Sequence, residues 1–376
     1  MNSFDVIVIG AGIIGAACAV ELQALGRKVL LVDALHPGAG VTAAGMGHLV
    51  ALDETDDELD LCMLSLARWD AYLSRKGGLA EHAQCGTLWV AEDEAQMAQA
   101  ARRVHRLAQR GWSASLLSGA ELARIEPSLR KGLAGGLRVE RDSAVYPPAV
   151  ARELAARLVA QGGATRFGTQ VLRIGAHDMQ LASGERLTAA DIVVAAGTGV
   201  TSLLPDIPVF PRKGHLAITD RYPGRLAHQV VSMGYGQTEA GSDALAVAAN
   251  VQPRATGQWL IGSCRQDGVA HAEVDPRVLA QLLRSAIALL PCLAGMTIIR
   301  SWTGMRPATR DGRPIIGRHP VLGHVWLAAG HEGLGVTTAF GTAQLLADLM
   351  LGRPASIDPT PYSPSRFIHA PAHAQA

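Results

Sequence analysis

A β-branched run, three spaced glycines and a carboxylate, all within the first 33 residues, confine this chain to a narrow set of folds. Residues 5–9 (Asp-Val-Ile-Val-Ile) read as a short, fully buried strand. Gly10-Ala11-Gly12-Ile13-Ile14-Gly15 follows, then a segment of strong helix formers over 16–25. A second apolar strand over 28–32 ends at Asp33, 18 residues beyond Gly15. Each residue type has a mechanical task in a strand–turn–helix–strand unit. Gly10 permits the tight turn, Gly12 lets backbone approach a pyrophosphate, and Gly15 allows the helix to lie close on the strand. The free N–H groups and positive dipole end of the helix suit a diphosphate. Asp33, with Ala34 beside it, can accept hydrogen bonds from ribose hydroxyls and disfavours a 2′-phosphate. The unit reads as an adenine-dinucleotide site and leaves FAD and NAD equally open.

Composition excludes several other classes. Lys and Arg number 34 against 33 Asp and Glu, and no basic stretch stands out, which argues against nucleic-acid binding by charge. Hydrophobic residues make up 48% of the chain, enough for large cores and unlike a disordered sequence. The five cysteines (Cys18, Cys62, Cys85, Cys264, Cys292) contain no C-x-x-C pair, so they read as free thiols in a reducing compartment and not as an iron–sulfur site. The most apolar run, residues 6–20, is too short and glycine-rich to span a bilayer, and no basic residue precedes it as in a signal peptide. A cytoplasmic location is expected. His369 and His373 are four apart, but the prolines around them argue against a helical metal site, and no metal is expected.

The remainder of the chain favours a flavin. Small residues crowd the segment 38–48, including Thr42, Ala43, Ala44, Gly45, Met46 and His48, as where backbone passes close to a ligand. A strand over 166–174 could pass the adenine at Val171, and a helix with a glycine stop precedes it. A further buried strand from Asp191 ends at Ala196 and Gly197, returning the sheet to the nucleotide late in the chain. Near the C-terminus lie Gly304-Met-Arg306-Pro307, then Asp311-Gly-Arg-Pro314-Ile-Ile-Gly317, then Gly330-His331-Glu332-Gly333-Leu334-Gly335-Val336-Thr337, with a helix expected over 339–351. A helix start there can aim its positive end at the pyrimidine side of a flavin.

On these segments the sequence resembles the FAD-dependent D-amino acid oxidase superfamily, in the branch of glycine oxidase, sarcosine oxidase and related amine dehydrogenases. The resemblance runs from Val6 to about Phe367. The segments 44–48 and 330–335 resemble more narrowly the flavin (beta) subunits of D-hydroxyproline dehydrogenase and opine oxidase. The resemblance implies an α/β fold: a Rossmann-like (GR2-type) FAD-binding domain and a second α+β substrate domain on an antiparallel sheet. The FAD domain is expected to be discontinuous, over 1–84, 140–206 and 300–376, with the substrate domain over 85–139 and 207–299. Residues 87–91 and 258–262 are strand candidates for that sheet, and 94–109 and 276–290 read as amphipathic helices.

The resemblance also implies site residues. FAD would lie extended on Gly10, Gly12, Ile13, Ile14, Gly15, Asp33 and Ala34. Thr42, Ala43, Ala44, Gly45 and Met46 would flank the diphosphate and flavin, Val171 would meet the adenine, and Ala196 and Gly197 would pack on the cofactor. Gly333, Leu334, Gly335, Val336 and Thr337 would sit by the pyrimidine edge. Arg306 matches the family's arginine for the substrate carboxylate, a role its forked N–H donors suit. His48, His215, His331 and Glu332 are polar groups placed to touch substrate or cofactor. Asn250 stands where glycine oxidase carries a tyrosine, and that family's second active-site arginine is replaced near Glu332-Gly333. Thr42, before the Ala-Ala-Gly turn, replaces the histidine of relatives that tether their flavin, so noncovalent FAD is expected.

The implied chemistry is hydride transfer from substrate Cα to flavin N5, giving an imine, with orientation of the Cα–H as the main task of the protein. The expected substrate is a D-amino or cyclic imino acid of the D-hydroxyproline or D-proline kind, with an opine, glycine or sarcosine as alternatives. If the chain is a dehydrogenase, the resemblance implies that its electrons leave through an iron–sulfur subunit, a second flavin- or nucleotide-binding subunit, or a diffusible acceptor. Two readings of other classes remain: an NAD(P)-dependent dehydrogenase, and a non-catalytic flavin subunit that only relays electrons.

Overall fold

The computed structural model describes residues 4–51, 55–75, 81–175, 178–236 and 245–367. Its centre is the N-terminal strand Phe4–Ile9, whose last four residues are all buried. It is central because apolar side chains alternate to both faces and both faces are covered. Val6 and Val8 point into a cluster under the helices, whereas Ile7 and Ile9 join a separate cluster with Val171, Met179 and Leu181. Parallel partners flank it: Val8 lies opposite Leu31 on one side and Val193 on the other. The six-stranded sheet runs Ile315–Arg318, Val325–Ala329, Ala189–Val194, Phe4–Ile9, Val29–Val32, Ala164–Arg166. All its neighbours are parallel apart from the antiparallel pair at the first edge.

Four helices cover one face. Ile13–Ala24 packs against both Pro147–Ala160 and Gly335–Met350, and the last of these also packs on Asp56–Leu73. That crossing is close: a side chain at Gly341 would meet the Leu61 carbonyl at 2.9 Å, and the Gly341 amide donates to Ser65 Oγ at 3.0 Å. The other face carries a three-stranded antiparallel sheet, Val171–Ile174, Met179–Leu181 and Arg186–Leu187.

A second, eight-stranded sheet forms the other half of the molecule. Its order is Ile298–Ala308, Phe210–Arg221, Gln258–Arg265, Ala246–Pro253, Gln229–Ser232, Thr87–Ala91, Gly135–Val139, Ser115–Ser118. It is antiparallel save for one parallel pair, Gln229–Ser232 with Thr87–Ala91. The amphipathic helix Pro276–Leu289 lays Leu282, Ala286 and Leu289 on it. No helix among the described residues is long and apolar enough to cross a membrane.

Three expectations shift. Residues 300–308, expected in the FAD domain, belong to the strand Ile298–Ala308 of the eight-stranded sheet, where Arg306 lies opposite Arg212 in a long antiparallel ladder. The strand expected over 166–174 is two strands, Ala164–Arg166 and Val171–Ile174, in different sheets. The break is a turn held by the Thr169 amide donating to the Asp33 carbonyl at 2.8 Å. The C-terminal helix starts at Gly335, four residues before the expected position. His369 and His373 lie outside the described residues.

Candidate active site

A cavity of about 580 Å³ follows the C-terminal ends of the parallel strands and opens onto the eight-stranded sheet. That is where open α/β sheets bind ligands, because helix N-termini and loop amides converge there. Ile9, Val32, Ala195 and Ala329 mark the strand ends along it. The glycine turn is built by sterics. Gly10 has φ 106°, and a side chain there would meet the Ala195 carbonyl at 2.3 Å. A side chain at Gly15 would lie 1.9 Å from the Gly10 carbonyl, so this glycine sets the helix-to-strand distance. Thr42 Oγ1 accepts the Ile13 amide at 3.1 Å and so straps the following loop to the helix start. Other first-turn amides have no intrahelical acceptor. Asp33 is engaged by backbone: Oδ2 accepts from the Ala11 amide at 2.6 Å and Oδ1 from the Leu35 amide at 2.7 Å. A carboxylate has lone pairs beyond these two, which leaves it able to take a ribose hydroxyl.

At the far end the two sheets close on each other. A side chain at Gly304 would meet Ala44 Cβ at 2.9 Å, and one at Gly262 would meet Met46 Sδ at 2.7 Å. Trp302 Nε1 donates to the Ala44 carbonyl at 3.3 Å. Arg254, nearly buried, donates from Nη1 to the carbonyls of Met46 and Val145 at 3.3 and 3.2 Å, fixing the loop that carries His48. Burial, with the nearby Arg254 charge, pushes His48 down to about 3, so the imidazole is neutral at physiological pH. Thr337 Oγ1 donates to the His48 carbonyl at 2.9 Å and ties this loop to the C-terminal helix.

Arg306 stands at the seam. Its Nη1 donates to the Cys264 carbonyl at 2.9 Å and its Nη2 to Ser263 Oγ. The guanidinium lies flat against Gly214, where a side chain would sit 2.7 Å from Nη2. Anchored from behind, it has further N–H donors to present to the cavity it lines. Glu332 is close by. Burial alone would raise its carboxyl, but the charges of Arg306, Arg265 and Arg212 and the Gly333 amide outweigh this and hold it below the ordinary glutamate range.

Of the residues singled out in the sequence, the cavity wall includes Gly10, Gly12, Ile13, Ile14, Asp33, Ala34, Thr42, Ala44, Gly45, Met46, His48, Val171, Ala196, Gly197, Arg306, His331, Glu332, Gly333, Gly335 and Val336. Five others lie elsewhere. Gly15 packs under the turn, and Thr337 acts as the strap just described. Ala43 is on the exposed side of the short helix Val41–Ala44, and Leu334 faces a separate small cavity with Tyr362. His215 is on the back of its strand, because Gly214 and Leu216 take the cavity side; its Nε2 accepts the Asp275 amide at 2.9 Å. His331 reaches the wall, but its Nε2 pairs with Thr342 Oγ1 at 2.9 Å, and burial pushes the ring down to about 3. It is a packing group of the helix start and not a free acid or base. The Asp311-Gly-Arg-Pro segment is also structural: Asp311 pairs with Arg366 and Arg313 with Asp57, which clamps the C-terminal segment.

Sequence reasoning missed Ser263 and Gly214, and noted Asn250 without assigning it to the site. All three line the cavity. The Asn250 Oδ1 is buried with no hydrogen-bond partner among the described residues. Only strand pairing brings these residues to Arg306, so no local motif marks them.

The residues present fit an extended FAD: two helix starts, a side-chain-free Gly12 and a carboxylate at one end, and a tight, polar seam at the other. The chain is 29% identical to glycine oxidase of Bacillus licheniformis over 372 residues, covering 94% of this chain and 95% of that protein. The crystal structure of glycine oxidase from Geobacillus kaustophilus superposes with a TM-score of 0.85 at 25% identity, covering 97% of this chain and 99% of that one. L-proline dehydrogenase from P. horikoshii shares the fold, with a TM-score of 0.88 at 21% identity and 98% coverage of both chains. The family description "DAO: FAD dependent oxidoreductase" matches residues 5–349. The chain therefore belongs to the DAO family of FAD-dependent oxidoreductases: it is an enzyme, and FAD is its cofactor.

Proposed function

We propose that this enzyme oxidises a small amino or cyclic imino acid of the D-hydroxyproline or D-proline kind at its Cα–N bond. The observation that carries the reading is Arg306: a guanidinium fixed by Ser263 and Cys264 at the cavity end where the two sheets meet. Such a group is suited to a bidentate grip on a substrate carboxylate. Bound FAD would supply the two-electron acceptor, and Thr42, which stands in place of the tethering histidine, lines the cavity.

The chain's own groups bind and orient. Arg306 takes the carboxylate, and the unpartnered Asn250 Oδ1 accepts a hydrogen bond from the substrate nitrogen. Met46, Leu216 and Pro307 offer apolar surface against which a small ring can pack while water is excluded. Asparagine at position 250 in place of the bulkier tyrosine of glycine oxidase leaves room for such a ring. Neutral His48 adds no cation beside the nitrogen.

The test is anaerobic mixing of the yellow holoenzyme with D-proline, cis-4-hydroxy-D-proline, glycine, sarcosine and an opine. Bleaching of the flavin by a cyclic imino acid, lost in Arg306→Ala that retains flavin, is the expected result. Bleaching by none of these acids would refute the proposed substrate class. Onward transfer to an iron–sulfur or second flavin subunit rests on the resemblance of segments 44–48 and 330–335 to the flavin subunits of dehydrogenase complexes. Co-purification with a cysteine-rich partner tests it.

A further inference from the structure

Arg306 reaches its holds across a neighbouring strand. It stands on Ile298–Ala308, its guanidinium lies over Gly214 of the intervening strand, and both its acceptors lie beyond, on Gln258–Arg265. A carbonyl inside a sheet is ordinarily taken by an amide of the next strand. The pairing of Phe210–Arg221 with Gln258–Arg265 shows why the Cys264 carbonyl is not. Lys213 and Gln266 exchange both backbone hydrogen bonds at 2.9 Å. Two residues on, that register would set His215 against Cys264, with the His215 amide on the Cys264 carbonyl. The ladder lacks that pair and resumes only at Ala217 with Ile261, so residues 214–216 face 262–265. The second strand carries an extra residue there, as in a β-bulge, a device that re-aims groups beside active sites.

Sulfur stands in for the missing acceptor. The His215 amide donates to Cys264 Sγ at 3.2 Å, and the Cys264 carbonyl takes Arg306 Nη1 at 2.9 Å. The His215 ring holds the sulfur from a second direction. Its Nε2 accepts the Asp275 amide at 2.9 Å, so the neutral ring carries its proton on Nδ1, which donates to Sγ at 3.4 Å. Burial holds the imidazole below its ordinary range and the thiol above its own, so both are neutral at physiological pH. Both side chains are buried, and neither lines the cavity. Resting on the assignment of Arg306 as the carboxylate anchor, we infer that Cys264 and His215 are positioning residues for it: the sulfur takes the strand amide that would otherwise claim the Cys264 carbonyl, and leaves that carbonyl to the guanidinium.

The experiment titrates acetate, as a non-oxidised carboxylate, against the flavin absorbance band of flavin-loaded wild type, Cys264→Ala and Cys264→Ser. Without a side-chain acceptor at this position the carbonyl is drawn back to the His215 amide, and Arg306 loses a hold. Cys264→Ala should weaken acetate about tenfold, the low end of what a charged hydrogen bond is worth. Cys264→Ser keeps an acceptor and should stay within about threefold of wild type. A sulfur that merely fills space predicts the opposite order, since alanine suits a buried site better than serine does. Cys264→Val also lacks an acceptor, and it carries the comparison if the alanine variant loses flavin. In an Arg306→Ala background, Cys264→Ala should cause no further fall in the rate of flavin reduction by an acid that reduces wild type, because the two changes remove one interaction. Equal acetate affinity in Cys264→Ala and wild type, a serine variant weaker than the alanine one, or a full further loss in the double variant overturns the inference and leaves Arg306 in place. Acetate that does not bind wild type, or binds Arg306→Ala as tightly, removes the anchor, and this inference with it.

Discussion

Replacing Gly214 by alanine tests the anchor without touching any polar group. The new methyl carbon would lie 2.7 Å from Arg306 Nη2 and 2.9 Å from Cζ and Nη1, where ordinary contact begins at 3.4 Å. The guanidinium must therefore retreat by about 0.7 Å. It cannot do so freely, since the Cys264 carbonyl and Ser263 Oγ hold it from behind. Charged hydrogen bonds of this kind are worth roughly 1.5–3 kcal/mol each. A misplacement near 1 Å at a substrate clamp costs on the order of a hundredfold in rate. The expected result is a fall in kcat/KM of about a hundredfold, on any acid that reduces the wild-type flavin, with flavin content retained. The same clash lowers stability by up to roughly the worth of one such bond, so the kinetics are read on enzyme that remains folded and yellow. A Gly214→Ala enzyme within about twofold of wild type would refute the account of Arg306 as a fixed anchor.

Asp142 and Gly15 give two further tests. Asp142 is fully buried, and burial raises its carboxyl to about 7. A folded-state value above the unfolded one means stability present at low pH and lost as pH climbs from about 4 through 7, by an order of about 4 kcal/mol in full. Asp142→Asn should remove that loss, so thermal unfolding at pH 5 and pH 8 should show the variant gaining on wild type at the higher pH; an equal difference at both values would show that Asp142 does not ionise at a cost. At Gly15 an alanine β-carbon would sit 1.9 Å from the backbone oxygen of Gly10, with no side chain able to give way. Gly15→Ala should purify without flavin, as read from its visible absorbance, and a normally yellow variant would contradict the packing described.

Much of the framework was legible because its signals are local. The helix Glu94–Gln109 and the strand Thr87–Ala91 match the sequence reading to the residue. The helix has an Asp93 cap accepting the Gln96 amide at 2.8 Å and a sustained apolar stripe. The glycine turn and the strands around it follow from residue types alone. The missed features have distant causes. Nothing near residue 168 in the sequence says that Asp33 will take the Thr169 amide and split one apolar run between two sheets. His331 resembles a catalytic group until the turn after Gly330, at φ 74°, directs its ring to Thr342. His215 differs from Gly214 only by its parity on the strand, which decides between cavity and back face.

Family resemblance singled out Arg306, whereas residue order by itself determined the dinucleotide-binding unit and many of the strands and helices. These depend on steric and hydrophobic preferences that act within a few residues. Tertiary structure alone decided what surrounds that arginine. Ser263 and Cys264 reach it from one strand, Gly214 from another, and Glu332 from a turn at the helix start. Their separations in the chain carry no information about their distances in space, which are set by strand register and by the closure of one sheet onto the other.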